Sequence, residues 1–321
     1  MNKAAQLIRD GMLPGAIVLG IGLYLLYRLM PALHPYGHAL GLVASEGQRL
    51  VIALLLFFQF VKISPHQVHL SRWHLGALAV QVLSFLLLAA GVALTAPGAL
   101  RMLLECAMLC MICPTASAAG VITDRLGGDL AATVSYLVMI NVAGTFLIPL
   151  VIPLVNPSAS MGFWTYVGHI AWKVFPVLIL PGLLAWLIRY TTHRLQRHLM
   201  RWASNSFYIW GVGLTLAMVL STRALVLSGL EAWAIAGIVA VSLGCCALQF
   251  FLGHRLGFSG TPAGREVDSL TAGQALGQKN TGFLIWLGYN YMTPVTSVAG
   301  GLYAIWQNLY NSWELYRSGR R

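Results

Sequence analysis

The strongest chemical signal in this chain lies in Gly273–Asn290, where polar residues interrupt a hydrophobic segment. Residues 278–282 read Gln-Lys-Asn-Thr-Gly, and an apolar run resumes directly at Phe283. Unpaired polar groups are so unfavourable in hydrocarbon that such a break persists only inside the protein or beside a wet cavity. An ionisable residue at membrane depth is by default a functional-site candidate, so we expect Lys279 to lie at a binding site. The alternative is a helix end at the interface, with the lysine reaching toward water.

A second hydrophobic segment, from Met102 to Ile122, carries a break of the same character. Residues 113–120 read Cys-Pro-Thr-Ala-Ser-Ala-Ala-Gly. Pro114 removes a backbone donor and clashes with the preceding turn, so a helix does not pass it undisturbed. A lone proline kink would carry little functional information. Two interrupted segments at corresponding places in two halves of a membrane protein instead indicate the binding site of a transporter.

The composition places the chain in a membrane. Of its 321 residues, 58% are hydrophobic and 9% are charged, and the mean hydropathy is +0.74. Soluble domains carry about 25% charged residues, so we expect an integral membrane protein. The net charge of +11 does not indicate a nucleic-acid partner, because the basic residues lie mainly in short loops between apolar segments. The five cysteines all fall in apolar segments, which argues against a disulfide framework.

Ten apolar segments each approach the roughly 20 residues that a membrane-spanning helix needs. The second is short and could begin nearer Leu42. The ten predicted spans are Leu13–Met30, Leu50–Ile63, His74–Thr95, Leu100–Thr123, Leu130–Leu154, Phe163–Arg189, Ser206–Leu225, Ala232–Leu252, Val267–Tyr289 and Pro294–Trp313.

The basic residues of the loops predict an orientation. With the N-terminus inside, 14 of the 20 lysines and arginines lie on the cytoplasmic side, Arg320 and Arg321 among them, and 4 lie on the other side. The remaining two, Lys173 and Lys279, lie within spans. By the positive-inside rule this bias places both termini in the cytoplasm and requires an even number of spans. We expect a plasma-membrane protein, in a bacterium one of the inner membrane.

The spans divide into two halves, residues 1–154 and 155–321, within a single membrane unit. A five-span unit that is repeated once must be inverted relative to the first copy. The break falls at the fourth span of each half, and a glutamine recurs in each third span, with Gln81 33 residues before Pro114 and Gln249 30 residues before Lys279. The predicted fold is therefore all-α, with ten transmembrane helices in two inverted repeats. Such repeats with broken helices are typical of secondary transporters.

At these residues the chain resembles the bile acid:sodium symporter family. The fourth span reads CPTASAAGVITDRLGGD, which is similar to the family's Cys-Pro-Gly-Gly-Thr-Ala-Ser-Asn segment followed by Gly-Asp. The ninth reads ALGQKNTG, similar to Glu-x-Gly-x-Gln-Asn-Ser-Gly, and the tenth holds Trp306-Gln307-Asn308, similar to Trp-His-Asn. The resemblance implies a core domain in which the broken fourth and ninth helices cross, and a smaller panel domain. It also implies alternating access for organic anions, coupled to two sodium ions.

The positions that bind sodium in that family are largely replaced here. The acidic ligand of the ninth span corresponds to Ala275, and the glutamine ligand four residues on corresponds to Lys279. A Ser-Asn pair of the fourth span falls at Ala119 and Gly120, which offer no side-chain oxygen. Hard cations need a cage of oxygen ligands, and most of that cage is missing.

Three further positions complete the comparison with the family's sodium sites. A threonine ligand of the fifth span falls at Leu137, whereas Thr133 supplies a hydroxyl where a serine is expected, and Gln81 matches a glutamine ligand. A sodium ion beside an ammonium group is disfavoured by about 4 kcal/mol at about 4 Å and an effective dielectric of about 20. We therefore expect Lys279 to replace a sodium ion, with Gln81 and helix-end carbonyls as its partners. Two roles stay open for it, a fixed charge or a proton carrier.

The predicted function is secondary transport of a small organic anion such as a bile acid, steroid sulfate, pantoate or keto acid, without a cofactor, a metal or a nucleic-acid partner. A sodium-coupled symporter with remodelled sites, a non-transporting receptor and a membrane enzyme using histidine-rich loops are the alternatives. The predicted substrate-binding residues are Thr115, Ser117, Asn280, Thr281, Gln307 and Asn308. The predicted coupling residues are Lys279, Gln278, Gln81 and Thr133. The predicted helix-break residues are Pro114, Gly277 and Gly282.

Two features of the fourth span have competing interpretations. Cys106, Cys110 and Cys113 share one helical stripe, which suits a soft-metal site or, more simply, close packing of small residues between helices. Glu105 is the one acid well inside a predicted span. It is either a proton site or the ion-pair partner of Arg101, and we favour the ion pair.

Overall fold

The structure, a computed structural model, describes residues 3–203, 206–257 and 262–318. Over these ranges it contains helices and short 3₁₀ turns but no β-strand. The helices are α1 (Lys3–Leu29), α2 (Gly37–Lys62), α3 (Arg72–Leu94), α4 (Ala99–Ile112), α5 (Ala118–Arg125), α6 (Leu130–Val155), α7 (Phe163–Leu178), α8 (Leu180–Thr191), α9 (His193–Trp202), α10 (Ser206–Ser228), α11 (Ala232–Leu256), α12 (Pro262–Gly277), α13 (Thr281–Tyr291) and α14 (Ser297–Ser318).

Several of these helices are long and apolar enough to cross a membrane. In the part of the chain that the structure describes there are five, at Pro31–Lys62, Arg72–Leu94, Leu130–Val155, Ser206–Ser228 and Ala232–Leu256. A sixth results if α7 and α8, which meet at a bend of 41°, count as one span. Large apolar side chains such as Leu94, Leu29 and Trp172 lie on the outer surface, as lipid contact requires. The described part of the chain is thus all-helical, with apolar helices of membrane-spanning length.

Two further pairs of helices are interrupted at the predicted breaks. The helix α4 ends at Ile112, two residues before Pro114, and α5 begins at Ala118. The helix α12 ends at Gly277, and α13 begins at Thr281. Asn280 caps α13, since its Oδ1 accepts the backbone N–H of Phe283 at 3.2 Å. The predicted interruption of both segments is confirmed.

One predicted boundary was wrong, and two other segments have structure that was not predicted. The second span does not begin at Leu50 or Leu42, because α2 continues from Gly37 through a polar stretch that ends with Arg49. The sixth span bends at Ile179, between α7 and α8. Residues 193–202, which sequence analysis counted as part of a basic loop, form the exposed amphipathic helix α9. In the orientation argument, Arg320 and Arg321 lie outside the described residues.

The core packs around the two broken helix pairs. The helix α4 lies against α3 and α11, and α11 lies against α12. The contact between α11 and α12 is close, because a Cβ atom on Gly253 would stand 2.5 Å from the carbonyl oxygen of Ala272. Phe85, Phe250 and Trp286 are buried in the core between these helices. The packing fixes both breaks against each other.

The crossing of the two helix breaks

The two breaks meet at the centre of the structure. Thr115 and Lys279 form an isolated antiparallel bridge. The N–H of Ala116 donates to the carbonyl of Gln278 at 2.9 Å, and the N–H of Asn280 donates to the carbonyl of Pro114 at 2.8 Å. These hydrogen bonds confirm the prediction that residues 114–117 and 279–281 lie together. They also satisfy backbone groups that a break in an apolar environment would leave unpaired.

Buried side chains satisfy the carbonyls that the broken helices leave free at their C-terminal ends. The carboxamide of Gln81 donates to the carbonyls of Met111 at 2.8 Å and Cys113 at 3.1 Å. The carboxamide of Gln249 donates to the carbonyl of Cys110 at 3.2 Å. Both glutamines therefore hold the end of α4.

The end of α12 is held by a tyrosine. The Tyr303 hydroxyl donates to the carbonyl of Gly277 at 2.8 Å. Gln249 donates to that hydroxyl at 3.1 Å, so the two helix ends share one hydrogen-bonded group. Sequence symmetry paired Gln81 with Gln249, but it contained no signal for Tyr303.

Gln307 of α14 clamps the second break. Its Oε1 accepts the backbone N–H of Lys279 at 2.8 Å, and its Nε2 donates to the carbonyl of the same residue at 3.2 Å. The two ends of the carboxamide thus bind the backbone N–H and carbonyl of one residue in the break. Gln307 also lines the cavity described next, so it lies at the predicted site while its polar atoms hold the backbone.

A small cavity of about 100 Å³ adjoins the crossing. It brings together most of the residues that sequence analysis assigned to substrate binding, helix breaks and coupling. The predicted residues that line it are Ser117, Gln278, Lys279, Asn280, Thr281, Gly282, Gln307 and Asn308.

Three polar or aromatic residues of the cavity wall were missed, namely Gln48 of α2, Trp210 of α10 and Asn311 of α14. Gln48 is 1% exposed, and its Oε1 has no hydrogen-bond partner among the described residues. A Cβ atom on Gly282 would stand 2.7 Å from its Nε2, so the carboxamide lies directly over the second break. The signal for Gln48 was a glutamine inside a helix, and placing the start of α2 too late concealed it.

Both helices that follow the breaks begin at this cavity. Ala116–Ala118 at the start of α5 and Asn280–Gly282 at the start of α13 belong to its wall. The N-terminus of a helix carries about half a positive charge and presents N–H donors, so it attracts anions. The cavity therefore combines two positive helix ends with amide and hydroxyl side chains, which suits a small anion.

Five predicted residues lie outside the cavity wall. The carbonyls of two of them, Pro114 and Gly277, accept hydrogen bonds in the breaks, and the other three bond elsewhere. The Thr115 hydroxyl donates to the carbonyl of Ala275 at 2.7 Å and is fully buried at the crossing. Gln81 accepts the Tyr136 hydroxyl at 2.5 Å in addition to holding the end of α4. The Thr133 hydroxyl lies 3.0 Å from the carbonyl of Asp129, which caps its own helix, and 3.2 Å from the Thr123 hydroxyl.

The ammonium group of Lys279 lies on the side of the crossing where α4 and α11 carry their cysteines. Its Nζ is fully buried and has no hydrogen-bond partner among the residues that the structure describes. The titratable side chains around it are the thiols of Cys113, Cys110, Cys246 and Cys245. The prediction that Gln81 and helix-end carbonyls pair with this lysine was wrong. The Gln81 carboxamide is engaged by two carbonyls and a hydroxyl, and Gln81, Gln249 and Tyr303 donate to the carbonyls at the helix ends.

The other candidates of the fourth span have simpler roles. Arg101 lies 3.4 Å from the Glu105 carboxylate, which confirms the ion pair. Glu105 also accepts the N–H of Thr293 at 3.3 Å. Within the described ranges, no group of three or more His, Cys, Asp or Glu side chains is arranged to hold a metal ion.

The chain matches none of the protein-family models and none of the curated proteins with which it was compared.

Proposed function

We propose that this protein is a secondary transporter of a small organic anion. One observation carries the proposal: two helix N-termini and several amide and hydroxyl groups enclose a small cavity where two broken helices meet. Broken helices whose ends face a substrate are the membrane-protein form of a helix-terminus anion site. The proposed architecture is ten spans in two inverted repeats, with both termini in the cytoplasm, as in the bile acid:sodium symporter family that the motifs resemble.

The size of the cavity favours a short substrate. Pockets for drug-sized ligands measure about 300–1,000 Å³, whereas this cavity measures about 100 Å³. A keto acid or another short carboxylate suits that volume. A bile acid or steroid sulfate would require the cavity to open further toward one side of the membrane.

The proposed transport does not require sodium. Gly120 and Ala275 contribute no side-chain oxygen at two former ligand positions, and the ammonium of Lys279 occupies the interior of the crossing beside thiols. Thiols are poor ligands for a hard cation, and a like charge repels it. The lysine is then a tethered substitute for a mobile ion.

The decisive experiment is uptake of labelled 2-oxobutyrate, pantoate and taurocholate into proteoliposomes, in sodium and in choline buffer. The proposal expects uptake of the short carboxylates in choline at the same rate as in sodium. Loss of uptake in choline would refute sodium independence. Binding without flux would refute transport and favour a receptor, and chemical conversion of the substrate would favour an enzyme.

A matched pair of variants locates the site. Thr281 lines the cavity, whereas the Thr222 hydroxyl bonds the Met218 carbonyl of its own helix at 2.7 Å. A hydrogen bond to a charged group is worth about 1.5–3 kcal/mol, so Thr281→Val should weaken anion binding by about 10- to 100-fold. Thr222→Val should leave binding unchanged. Equal effects of the two variants would place the site elsewhere.

A further inference from the structure

A row of buried polar side chains joins the cavity to a second, larger opening in the protein. We call it the ladder; it consists of Gln274 on α12, Gln278 directly after the end of α12, and Asn311 and Glu314 on α14. The Gln278 Nε2 donates to Gln274 Oε1 and to Asn311 Oδ1, the latter at 3.3 Å, and the Gln274 Nε2 donates to Glu314 Oε2. Gln274 is fully buried, and Gln278 and Asn311 nearly so.

The two ends of the ladder lie in different surroundings. Gln278 and Asn311 line the cavity at the crossing, and the Gln278 carbonyl accepts the N–H of Ala116 in the first break. Glu314 lies in a vestibule of about 800 Å³ at the far ends of α5, α11 and α14 and along the first turns of α12. Its side chain is 10% exposed, and its Oε1 lies 3.1 Å from His254 Nε2.

The charged and titratable groups around Glu314 come from three helices. His254 approaches from α11 and also lies 3.0 Å from the Tyr310 hydroxyl. Tyr310 and Arg317 come from α14, and Glu266 comes from α12. The wall contributed by the end of α5, Leu126 and Gly127, carries no charge. Glu314 is thus a nearly buried carboxylate that opens on the vestibule and has His254, Tyr310 and Gln274 as partners.

The ladder has a direction, because every carboxamide has a donor end and an acceptor end. An ionised carboxylate only accepts hydrogen bonds, so the N–H groups of Gln274 and Gln278 both point toward Glu314. That leaves the oxygen of the Gln278 carboxamide as its remaining polar end at the cavity. An acceptor there opposes an anion.

Protonation of Glu314 would reverse the direction of the hydrogen bonds in the ladder. A protonated carboxyl group donates a hydrogen bond, and the Gln274 oxygen is the acceptor within reach. The Gln274 N–H then points to Gln278, and the Gln278 N–H points into the cavity. The same residue now offers a donor to the anion, so the proton and the anion stabilise each other across the ladder.

We propose that Glu314, with His254, is a proton-binding site linked through the ladder to the anion cavity, so that one proton is taken up with each anion. The proposal rests on the proposed transport function for its role and names the coupling ion. A proton and a monovalent carboxylate together cross the membrane without net charge. A hydronium ion in the vestibule gives its proton to a Glu314 oxygen and becomes water, so one O–H bond breaks on the donor and one forms on the carboxyl group.

The position of Lys279 makes it the weaker proton carrier. Its side-chain nitrogen is fully buried. Among the described residues, the titratable side chains around it are thiols, and no chain of polar side chains leads from them to the vestibule. Glu314, by contrast, is connected to the cavity by the ladder and lies in the vestibule. If Glu314 carries the proton, Glu314→Gln removes the pH dependence of anion binding. If Lys279 carries it, Lys279→Gln removes that dependence.

The first test does not depend on transport. Infrared difference spectra between alkaline and acidic buffer detect the carbonyl band of a carboxyl group that takes up a proton. Glu314→Gln preserves size and hydrogen bonding, and Glu266→Gln removes another carboxylate of the same vestibule. The wild type should show a band that Glu314→Gln loses and Glu266→Gln keeps. Identical spectra for the wild type and Glu314→Gln would overturn the proposal.

The second test measures linkage to the anion. Binding of 2-oxobutyrate to the purified wild-type protein should weaken with rising pH by up to about tenfold per pH unit, the limit for one linked proton. Glu314→Gln should bind with a constant affinity, whereas Lys279→Gln should keep the slope. A slope that persists in Glu314→Gln would overturn the proposal. If the infrared band is present but none of the three anions enters proteoliposomes, the proton site stands and the proposed transport function fails.

Discussion

Replacing Lys279 by methionine should stabilise the protein and impair anion uptake at once. The Lys279 Nζ is fully buried and makes no hydrogen bond to the described residues. An unsatisfied buried polar group costs about 1–3 kcal/mol, and more if it is charged. Methionine has a similar length and keeps the contacts of the lysine stem. The free energy of unfolding should therefore rise by about 1 kcal/mol or more.

The matched control is Lys173→Met. Lys173 lies 3.5 Å from Glu46, and its side chain is 31% exposed. Exposed ion pairs contribute about 0–1 kcal/mol, so this variant should lose a small amount of stability or none. Both variants remove one lysine side-chain charge, so the difference between their stabilities reports the effect of burying Lys279.

The assay is thermal unfolding in one detergent, followed by 2-oxobutyrate uptake of the same preparations. A higher unfolding temperature for Lys279→Met together with lower uptake would support a charge that is retained for function against stability. A lower unfolding temperature would refute the reasoning, because it would mean that the ammonium has a favourable partner. Unchanged uptake would show that the charge does not act on the anion.

Two further pairs of variants test the packing and the clamp. Gly253→Ala should destabilise the protein by about 1–3 kcal/mol through overpacking, because the added Cβ would stand 2.5 Å from a backbone oxygen. At the control position Gly244 an added Cβ meets no atom within 4 Å. Thermal unfolding compares the two variants, and equal stability would contradict the close helix contact. Gln307→Leu should destabilise the protein by about 1–3 kcal/mol, because it leaves the backbone N–H of Lys279 unpaired, whereas the Lys279 carbonyl keeps the N–H of Thr281. Asn308→Leu should destabilise the protein less, since the Asn308 carboxamide nitrogen bonds the Ala304 carbonyl of its own helix. Chemical unfolding measures both losses of stability, and a larger loss for Asn308→Leu would contradict the role of Gln307 as a clamp.

The location of the crossing followed from local properties of the chain. Pro114 cannot continue a helix, and five polar or glycine residues in a row cannot lie in hydrocarbon without partners. Each is a property of one short segment. That two such segments meet was expected from their corresponding places in the two halves and from the family resemblance. The structure shows how they meet, since each break offers the other a backbone N–H or carbonyl group.

Residues whose role depends on helix length were missed for a different reason. Gln48 follows Glu46 and precedes Arg49, and charged residues commonly mark a span end. Only the packing of α2 against α10 and α13 shows that the helix already runs from Gly37. The glutamine then lies in the middle of a helix and faces the cavity.

The sequence by itself determined where the two helix pairs break and which polar residues the breaks carry. The tertiary structure alone decided the partners. Gln274 meets Glu314 forty residues away, and the lysine side chain turns toward thiols on two other helices. Hydropathy measures the preference of each residue for lipid or water, whereas a hydrogen bond depends on which donor and acceptor two distant helices bring within about 3 Å. That distance is set by how the helices pack.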